Sequence, residues 1–184
     1  MIPTLSETVR DFAWVFLILA LASLIQGALA AFAQRDFKRL IAYTSINHMG
    51  YVMLGVAVWG FSTSVSVRQL ALNGAAFQVI SHGLLTGGMF FMVGILQKKS
   101  NTRDMSRFGG LTKTLPIYSF LLGLLVFGSL GLPGFSGFIA EFQVIGATVS
   151  VMFWAAVLTV ISLIITTAVY IKVLIQVAFG QTSD

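Results

Sequence analysis

One carboxylate, Glu141, lies between two long stretches of sequence without charge. Residues 114–140 before it and residues 142–171 after it contain no Asp, Glu, Lys or Arg. A carboxylate inside a bilayer costs several kcal/mol unless it is paired, hydrated or protonated, so such a residue is a candidate proton-binding group. The alternative is a Glu at an interfacial turn, in contact with water. The first interpretation predicts a role for Glu141 in ion movement.

Two histidines and one lysine could act with Glu141. Imidazole titrates near neutral pH, and His82 lies in the middle of an apolar segment, where it is either a proton relay or a neutral hydrogen-bonding group between packed helices. His48 follows several polar residues between positions 43 and 47, as in the wall of a hydrated cavity or at a helix end near the headgroups. Lys38 lies beside other charges at a predicted helix start, where it is either an interfacial anchor or part of the proton site.

The composition argues against a soluble domain and against a metal or cofactor enzyme. The chain has 184 residues, of which 57% are apolar and 9% are charged, whereas soluble domains are about 25% charged. It has no cysteine, no glycine-rich phosphate loop and no cluster with metal-ligand spacing, so we expect no cofactor, no metal and no enzymatic chemistry of its own. We interpret the net charge of +5 as a signal of orientation in a membrane rather than of nucleic-acid binding. We therefore expect no nucleic acid as a partner.

Long apolar segments predict an all-α integral membrane protein. Helices satisfy their backbone groups within lipid, and the alternating pattern of a membrane β-barrel is absent. An N-terminal segment (1–11) and a tail (181–184) flank the predicted transmembrane domain (12–180). We predict spans of about 18 residues or more at residues 12–33, 40–61, 70–96, 115–149 and 151–179.

The predicted span 115–149 has two interpretations. Pro133 and Gly134 interrupt it, because proline lacks a helix donor and glycine loosens the backbone. The segment is either a hairpin of two passes or one discontinuous pass broken near residues 131–134. Broken helices of this kind line transport sites in many carriers. The hydrophobic and charge patterns leave both interpretations open.

Basic residues are concentrated in two of the predicted loops. The loops after the first and third spans hold eight Lys and Arg residues together, against two on the opposite side. The positive-inside rule places these two loops in the cytoplasm. The N-terminus is then outside, and the C-terminus is cytoplasmic if residues 115–149 form one pass.

Several short motifs, taken in order, resemble a known family. They resemble the antiporter-like membrane subunits of respiratory complex I, and their relatives in multisubunit sodium/proton antiporters and membrane-bound hydrogenases. The motifs are AQRDFKRLIAYTS at 33–45, HMG at 48–50, SHGL at 81–84, TRDM at 102–105, GGL at 109–111, GLPG at 131–134 and GFIAEF at 137–142.

The resemblance implies roles for the candidate residues. Glu141 resembles the terminal proton-site carboxylate, at a position that is usually Lys in other paralogues and Glu in the chain M type, equivalent to mitochondrial subunit 4. His82 resembles the histidine on the central polar axis, and His48 resembles a nearby histidine. The corresponding helix of the family is one discontinuous pass, which favours the same structure for residues 115–149.

The resemblance also implies the function and the partners. It indicates a non-redox, proton-translocating subunit of an NADH:quinone oxidoreductase in a bacterial inner membrane, where protons move through buried ionisable residues and water. The implied partners are the lipid bilayer, protons and other membrane subunits of complex I. Full members contain two inverted repeats, and this chain matches the second, so the first-repeat half is a further expected partner. The alternatives are a sodium/proton antiporter subunit and a non-transporting scaffold.

Overall fold

The chain folds into a helical bundle, seen in a computed structural model that describes residues 5–180. Residues 1–4 and the predicted tail 181–184 lie outside the described residues. The described part contains no strand, although one isolated antiparallel bridge joins Asp36 and Asp104. It includes a 3₁₀ turn at Met105–Arg107 and a π-helical turn at Leu174–Phe179. The helices are α1 Leu5–Asp11, α2 Ala13–Ala33, α3 Phe37–Phe61, α4 Val65–Ser100, α5 Leu111–Thr114, α6 Pro116–Ser129, α7 Ser136–Val151 and α8 Phe153–Val173.

The surface of the bundle is apolar, as expected of helices in lipid. Large side chains such as Trp14, Leu84 and Phe91 are exposed, whereas small residues such as Ala20 and Ala28 are buried where α2 packs. Small residues allow close helix approach in a bilayer, where lipid tails solvate the large apolar ones. Three helical stretches are long and apolar enough to cross a membrane: Ala13–Ala33, Val65–Ser100 and Phe153–Phe179. The chain is therefore a multi-pass membrane protein.

Three helices differ in length or polarity from the other spans. The helix α3 has 25 residues, which suffices for a span, although it is not one of the three apolar stretches above. The 14-residue α6 and the 16-residue α7 are about 21 and 24 Å long, shorter than the hydrocarbon core of about 30 Å. Between them, residues 130–135 are not helical and include Pro133 and Gly134.

The two basic loops meet at one end of the bundle. The Arg103 guanidinium lies 3.1 Å from the Asp36 carboxylate. The backbone N–H of Phe37 donates to the carbonyl of Arg103 (2.9 Å), and that of Met105 donates to the carbonyl of Arg35 (3.0 Å). These contacts place the loop before α3 and the loop after α4 on the same side.

Two side chains fix the helix ends near these loops. The Asp36 carboxylate accepts from the backbone N–H of Arg39 (3.0 Å) and caps α3, which explains why the helix begins three residues before the predicted span. At the end of α2, the Lys172 ammonium donates to the carbonyls of Phe32 (2.9 Å) and Gln34 (3.0 Å). A cation at a helix C-terminus satisfies carbonyls that lack intrahelical partners.

Two apolar cores lie at different heights in the bundle. The first, near the basic loops, includes Ile41, Met89 and Tyr170. The second, further along the helices, includes Tyr51 and Val144. Polar and ionisable side chains from α3, α4 and α7 occupy the layer between them, and this layer is the candidate functional site.

Candidate functional site

The layer between the cores is built around a buried carboxylate and imidazole. The side chain of Glu141, on α7, is 4% exposed, and that of His48, on α3, is 5% exposed. Glu141 Oε1 and His48 Nδ1 are 3.4 Å apart. Burying either polar side chain alone would be unfavourable. Because the carboxylate and the imidazole face each other, each offsets part of the free-energy cost of burying the other.

The connection between α6 and α7 leaves room for the Glu141 carboxylate. Gly131 has φ +65°, a conformation that glycine adopts at little cost. Its missing side chain is also essential to the packing, because a Cβ there would collide with Glu141 Oε2. A Cβ on Gly137, at the start of α7, would lie 2.5 Å from the carbonyl oxygen of Gly128 on α6. Glycines therefore bring the end of α6 and the start of α7 together beside Glu141.

His48 has a hydrogen-bond partner at each ring nitrogen. Its Nδ1 lies 3.1 Å from Nε2 of Gln78 on α4, in addition to the nearby Glu141. Its Nε2 lies 3.3 Å from the hydroxyl of Tyr170 on α8. The imidazole thus joins four helices of the bundle, and its Tyr170 contact leads towards the basic-loop end.

His82 lies beside this cluster and is partly exposed. Its ring centroid is 5.2 Å from that of His48, and its Nδ1 lies 3.1 Å from the hydroxyl of Thr86, one turn later on α4. A small cavity of ≈ 10 Å³ lies against both histidines and has the room that about one water molecule requires. The cavity is lined by His48, Gln78, Ser81, His82, Leu85, Gly128, Ser129 and Gly137.

Of the four predicted proton-site residues, the structure brings together Glu141, His48 and His82 but not Lys38. Lys38 is exposed in the first turn of α3. It precedes His48 by ten residues, which is about 15 Å along the helix axis. Its position at the basic-loop end is that of an interfacial anchor.

The polar end of α3 serves helix packing as well as the site. Asn47 Nδ2 donates to the carbonyl of Leu24 (2.6 Å) and to the hydroxyl of Ser162 (2.6 Å), and the Thr166 hydroxyl donates to Asn47 Oδ1 (3.1 Å). These bonds join α2, α3 and α8. The polar residues before His48 suggested a hydrated cavity as one interpretation. At Asn47 the structure instead shows a buried side chain that hydrogen-bonds with protein groups.

Several residues of the site were missed by the sequence analysis. Gln78 precedes His82 by four residues and so shares its helix face, a spacing that could have identified it. Tyr170 is one of several polar residues in the predicted span 151–179, so its type did not single it out, and its partner on α3 is distant in sequence. The hydroxyls of Ser81 and Ser136 form a hydrogen bond (2.7 Å) that joins α4 to α7. No pattern in the sequence predicted this contact.

The geometry defines a class of protein. Among residues 5–180 no group of three or more His, Cys, Asp or Glu could hold a metal ion. Buried ionisable groups in the interior of a membrane bundle instead characterise proteins that move ions or protons. The chain belongs to the family described as NADH:quinone oxidoreductase/Mrp antiporter, transmembrane, which matches residues 1–166. The resemblance seen in the sequence motifs is thereby confirmed.

Individual relatives agree with the family assignment. The NADH-quinone oxidoreductase subunit M of Rhodobacter capsulatus is 34% identical over 181 residues, which are 98% of this chain and 33% of that protein. A chain of the respiratory complex I structure from Thermus thermophilus with bound NADH has a TM-score of 0.86 and 30% identity, over 97% of this chain and 36% of that one. This chain therefore spans about a third of the length of these relatives.

A second solved structure shares the fold. A chain of the Mrp complex from Dietzia sp. DQ12-45-1b has a TM-score of 0.85 and 23% identity, and the match covers 95% of this chain and 31% of that one. At this identity the similarity concerns the fold alone.

Proposed function

We propose that the chain forms part of a proton-translocating membrane subunit of an NADH:quinone oxidoreductase, of the subunit M type. It is a subunit of an oxidoreductase complex and performs no redox chemistry itself. The observation that carries the proposal is the buried pair of Glu141 and His48, 3.4 Å apart between two apolar cores. The family and the relative from Rhodobacter capsulatus support the same function.

A proton can pass through the site in one sequence of transfers. Protonated Glu141 gives its proton to Nδ1 of neutral His48, which leaves a carboxylate and an imidazolium. The imidazolium then releases the proton on Nε2 to the Tyr170 hydroxyl, which passes its own proton on towards the basic-loop end. The proton left on Nδ1 must move to Nε2 before His48 can accept another proton from Glu141. The 3.4 Å separation exceeds an ordinary hydrogen bond, so the first transfer requires a small approach of the two side chains or a bridging water.

A cation supplied by another part of the complex would drive this cycle. Burial favours the protonated form of a carboxylate, and a nearby cation favours the ionised form. The ion-pair partner of Glu141 among the described residues is His48, so we place the moving cation on the first-repeat half. That half and the other membrane subunits of complex I are the proposed partners, together with lipid and protons.

The proposed topology has five passes in the bacterial inner membrane. The fourth pass, residues 115–149, is discontinuous, and α6 and α7 are its halves. The lengths of about 21 and 24 Å support this arrangement, because neither helix alone spans the hydrocarbon core. The segment 1–11 is then periplasmic, and the tail 181–184 is cytoplasmic.

Reporter fusions test this topology. A reporter joined after Asp184 should be active on the cytoplasmic side, because five passes place the C-terminus opposite an external N-terminus. A reporter inserted in the basic loop after α4, at Asn101, serves as the cytoplasmic control. A periplasmic signal after Asp184, with the control still cytoplasmic, would restore the hairpin of two passes.

The function itself is tested by purifying the complex through a tag on this chain. Redox subunits of an NADH:quinone oxidoreductase should co-purify. After reconstitution into vesicles, NADH and quinone should drive proton translocation in sodium-free medium, and a protonophore should abolish the gradient. Proton movement that requires sodium would instead identify an antiporter subunit, and assembly without any proton movement would identify a scaffold.

His82 should contribute to translocation rather than to assembly. His82→Gln keeps a hydrogen-bonding side chain for Thr86 but does not titrate near neutral pH. We expect fewer protons translocated per electron in the reconstituted complex, at wild-type abundance. Thr86→Val is the control, because it removes the hydrogen bond and keeps the imidazole. Wild-type stoichiometry in His82→Gln, combined with poor assembly of His82→Ala, would show a packing role instead.

A further inference from the structure

A single nitrogen of His48 faces two buried side chains. His48 Nδ1 lies 3.1 Å from Gln78 Nε2 and 3.4 Å from Glu141 Oε1. Gln78 is 2% exposed, and its Oε1 has no hydrogen-bond partner among the described residues. Glu141 Oε1 also has none. The glutamine amide and the carboxylate therefore compete for one atom of the imidazole.

The Gln78 contact determines which ring nitrogen carries the proton. In the orientation that the structure shows, the NH₂ group of Gln78 faces Nδ1 and can only donate, so Nδ1 accepts and carries no proton while the amide keeps this orientation. The proton of neutral His48 is then on Nε2, from which it can be donated to the Tyr170 hydroxyl at 3.3 Å. Without Gln78, an ionised Glu141 would be the nearest partner of Nδ1 and would favour the opposite tautomer, with the proton on Nδ1.

The geometry points to Gln78 as a positioning residue that keeps His48 Nδ1 unprotonated and therefore ready to accept the Glu141 proton. This inference rests on the proposed function. In the transfer, the Glu141 O–H bond breaks and an Nδ1–H bond forms, which leaves a carboxylate and an imidazolium. If the Nδ1–H tautomer were already present, Nδ1 would have no lone pair for that proton and the transfer would be blocked.

The same amide responds to the transfer. Once Nδ1 carries a proton, the NH₂ group of Gln78 and the Nδ1–H group face each other as two donors. Rotation of the amide presents Oε1, which has no other partner among the described residues, to Nδ1–H. The new proton is then held by Gln78 instead of returning directly to Glu141. Release from Nε2 to Tyr170 leaves the Nδ1–H tautomer, so the cycle closes when the Nδ1 proton is exchanged for one on Nε2, through a water in the cavity beside His48 or a flip of the imidazole ring, and the Gln78 amide turns back.

Nitrogen-15 solid-state NMR of the full chain in lipid bilayers tests the tautomer directly. The chain has two histidines, and the His82→Asn variant assigns their signals. Wild-type His48 should be the Nε2–H tautomer under conditions where it is neutral. In Gln78→Met, which keeps the side-chain volume but removes the amide, the Nδ1–H tautomer should become the major form. An unchanged tautomer in Gln78→Met would overturn the inference.

A matched variant separates this effect from the loss of a buried amide. Gln143 follows Glu141 by two residues on α7, so it lies on a different face of the helix, and its Oε1 also lacks a hydrogen-bond partner among the described residues. Gln143→Met should leave the His48 tautomer as in the wild type. If it shifts the tautomer as much as Gln78→Met does, general repacking is the cause and the inference is wrong.

Translocation measurements separate failure of this inference from failure of the proposed function. In the reconstituted complex, Gln78→Met should lower the rate of proton translocation about tenfold, the effect expected of one buried hydrogen bond, whereas Gln143→Met should not. If Gln78→Met translocates protons like the wild type while Glu141→Gln is inactive, the role of Gln78 is rejected and the proposed function stands. Wild-type translocation by Glu141→Gln would reject the proposed function.

Discussion

Replacing Glu141 by glutamine is expected to abolish most proton translocation and to leave the complex assembled. Glutamine has nearly the same shape as glutamate, but it neither ionises nor carries a proton to His48. The loss should be about 100-fold or more, as for removal of a positioned acid–base group. Glu141→Asp should retain part of the activity, because it keeps the carboxyl group but holds it further from His48.

The decisive quantity is the number of protons translocated per electron, measured in vesicles that contain the reconstituted complex. The matched control is Glu7→Gln, the same substitution at an exposed glutamate of α1, which should pump like the wild type. Wild-type stoichiometry in Glu141→Gln would mean that the carboxylate has a structural role and that the proposed relay is wrong.

Replacing Gly131 by alanine should have the second-largest effect, although Gly131 carries no functional group. Its φ of +65° costs an alanine about 1–2 kcal/mol. More importantly, the new Cβ would collide with Glu141 Oε2, so the carboxylate must move relative to His48. We expect translocation to fall by about 10- to 100-fold, because small displacements of reacting groups are costly.

Gly134→Ala separates displacement of the carboxylate from backbone strain. Gly134 also has positive φ, +100°, but a Cβ there would have no atom within 4 Å. Both variants should therefore lower complex abundance or thermal stability, whereas only Gly131→Ala should lower the protons translocated per electron. If the number of protons translocated per electron falls equally in both variants, backbone strain in the α6–α7 connection is the cause. Displacement of the Glu141 carboxylate would then not explain the loss.

The sequence predicted the all-helical membrane class and three of the residues that meet in the buried layer. Glu141, His48 and His82 were identifiable because an ionisable group in an apolar segment is costly and so needs a reason to be there. Their role in proton translocation stays a prediction, as does the single discontinuous pass around Pro133 and Gly134.

Other features depended on packing that the sequence does not encode locally. The contact of His48 with Tyr170, 122 positions apart, is set by how α3 and α8 are rotated against each other. Gln78 had a suggestive spacing from His82, but its bond to His48 requires the positions of two helices. Lys38 has the residue type of a proton site, yet the capping of α3 by Asp36 places it at the exposed start of that helix.

Infrared difference spectroscopy of the working complex can detect the proposed movement of a proton from Glu141 to His48. Isotope labelling of this chain separates its signals from those of the other subunits. We expect a carboxylic acid C=O band that disappears during turnover while an imidazolium band appears, and both changes should be absent in Glu141→Gln. An imidazolium band that persists in Glu141→Gln, or a wild-type spectrum without the carboxylic acid band, would show that Glu141 does not give its proton to His48.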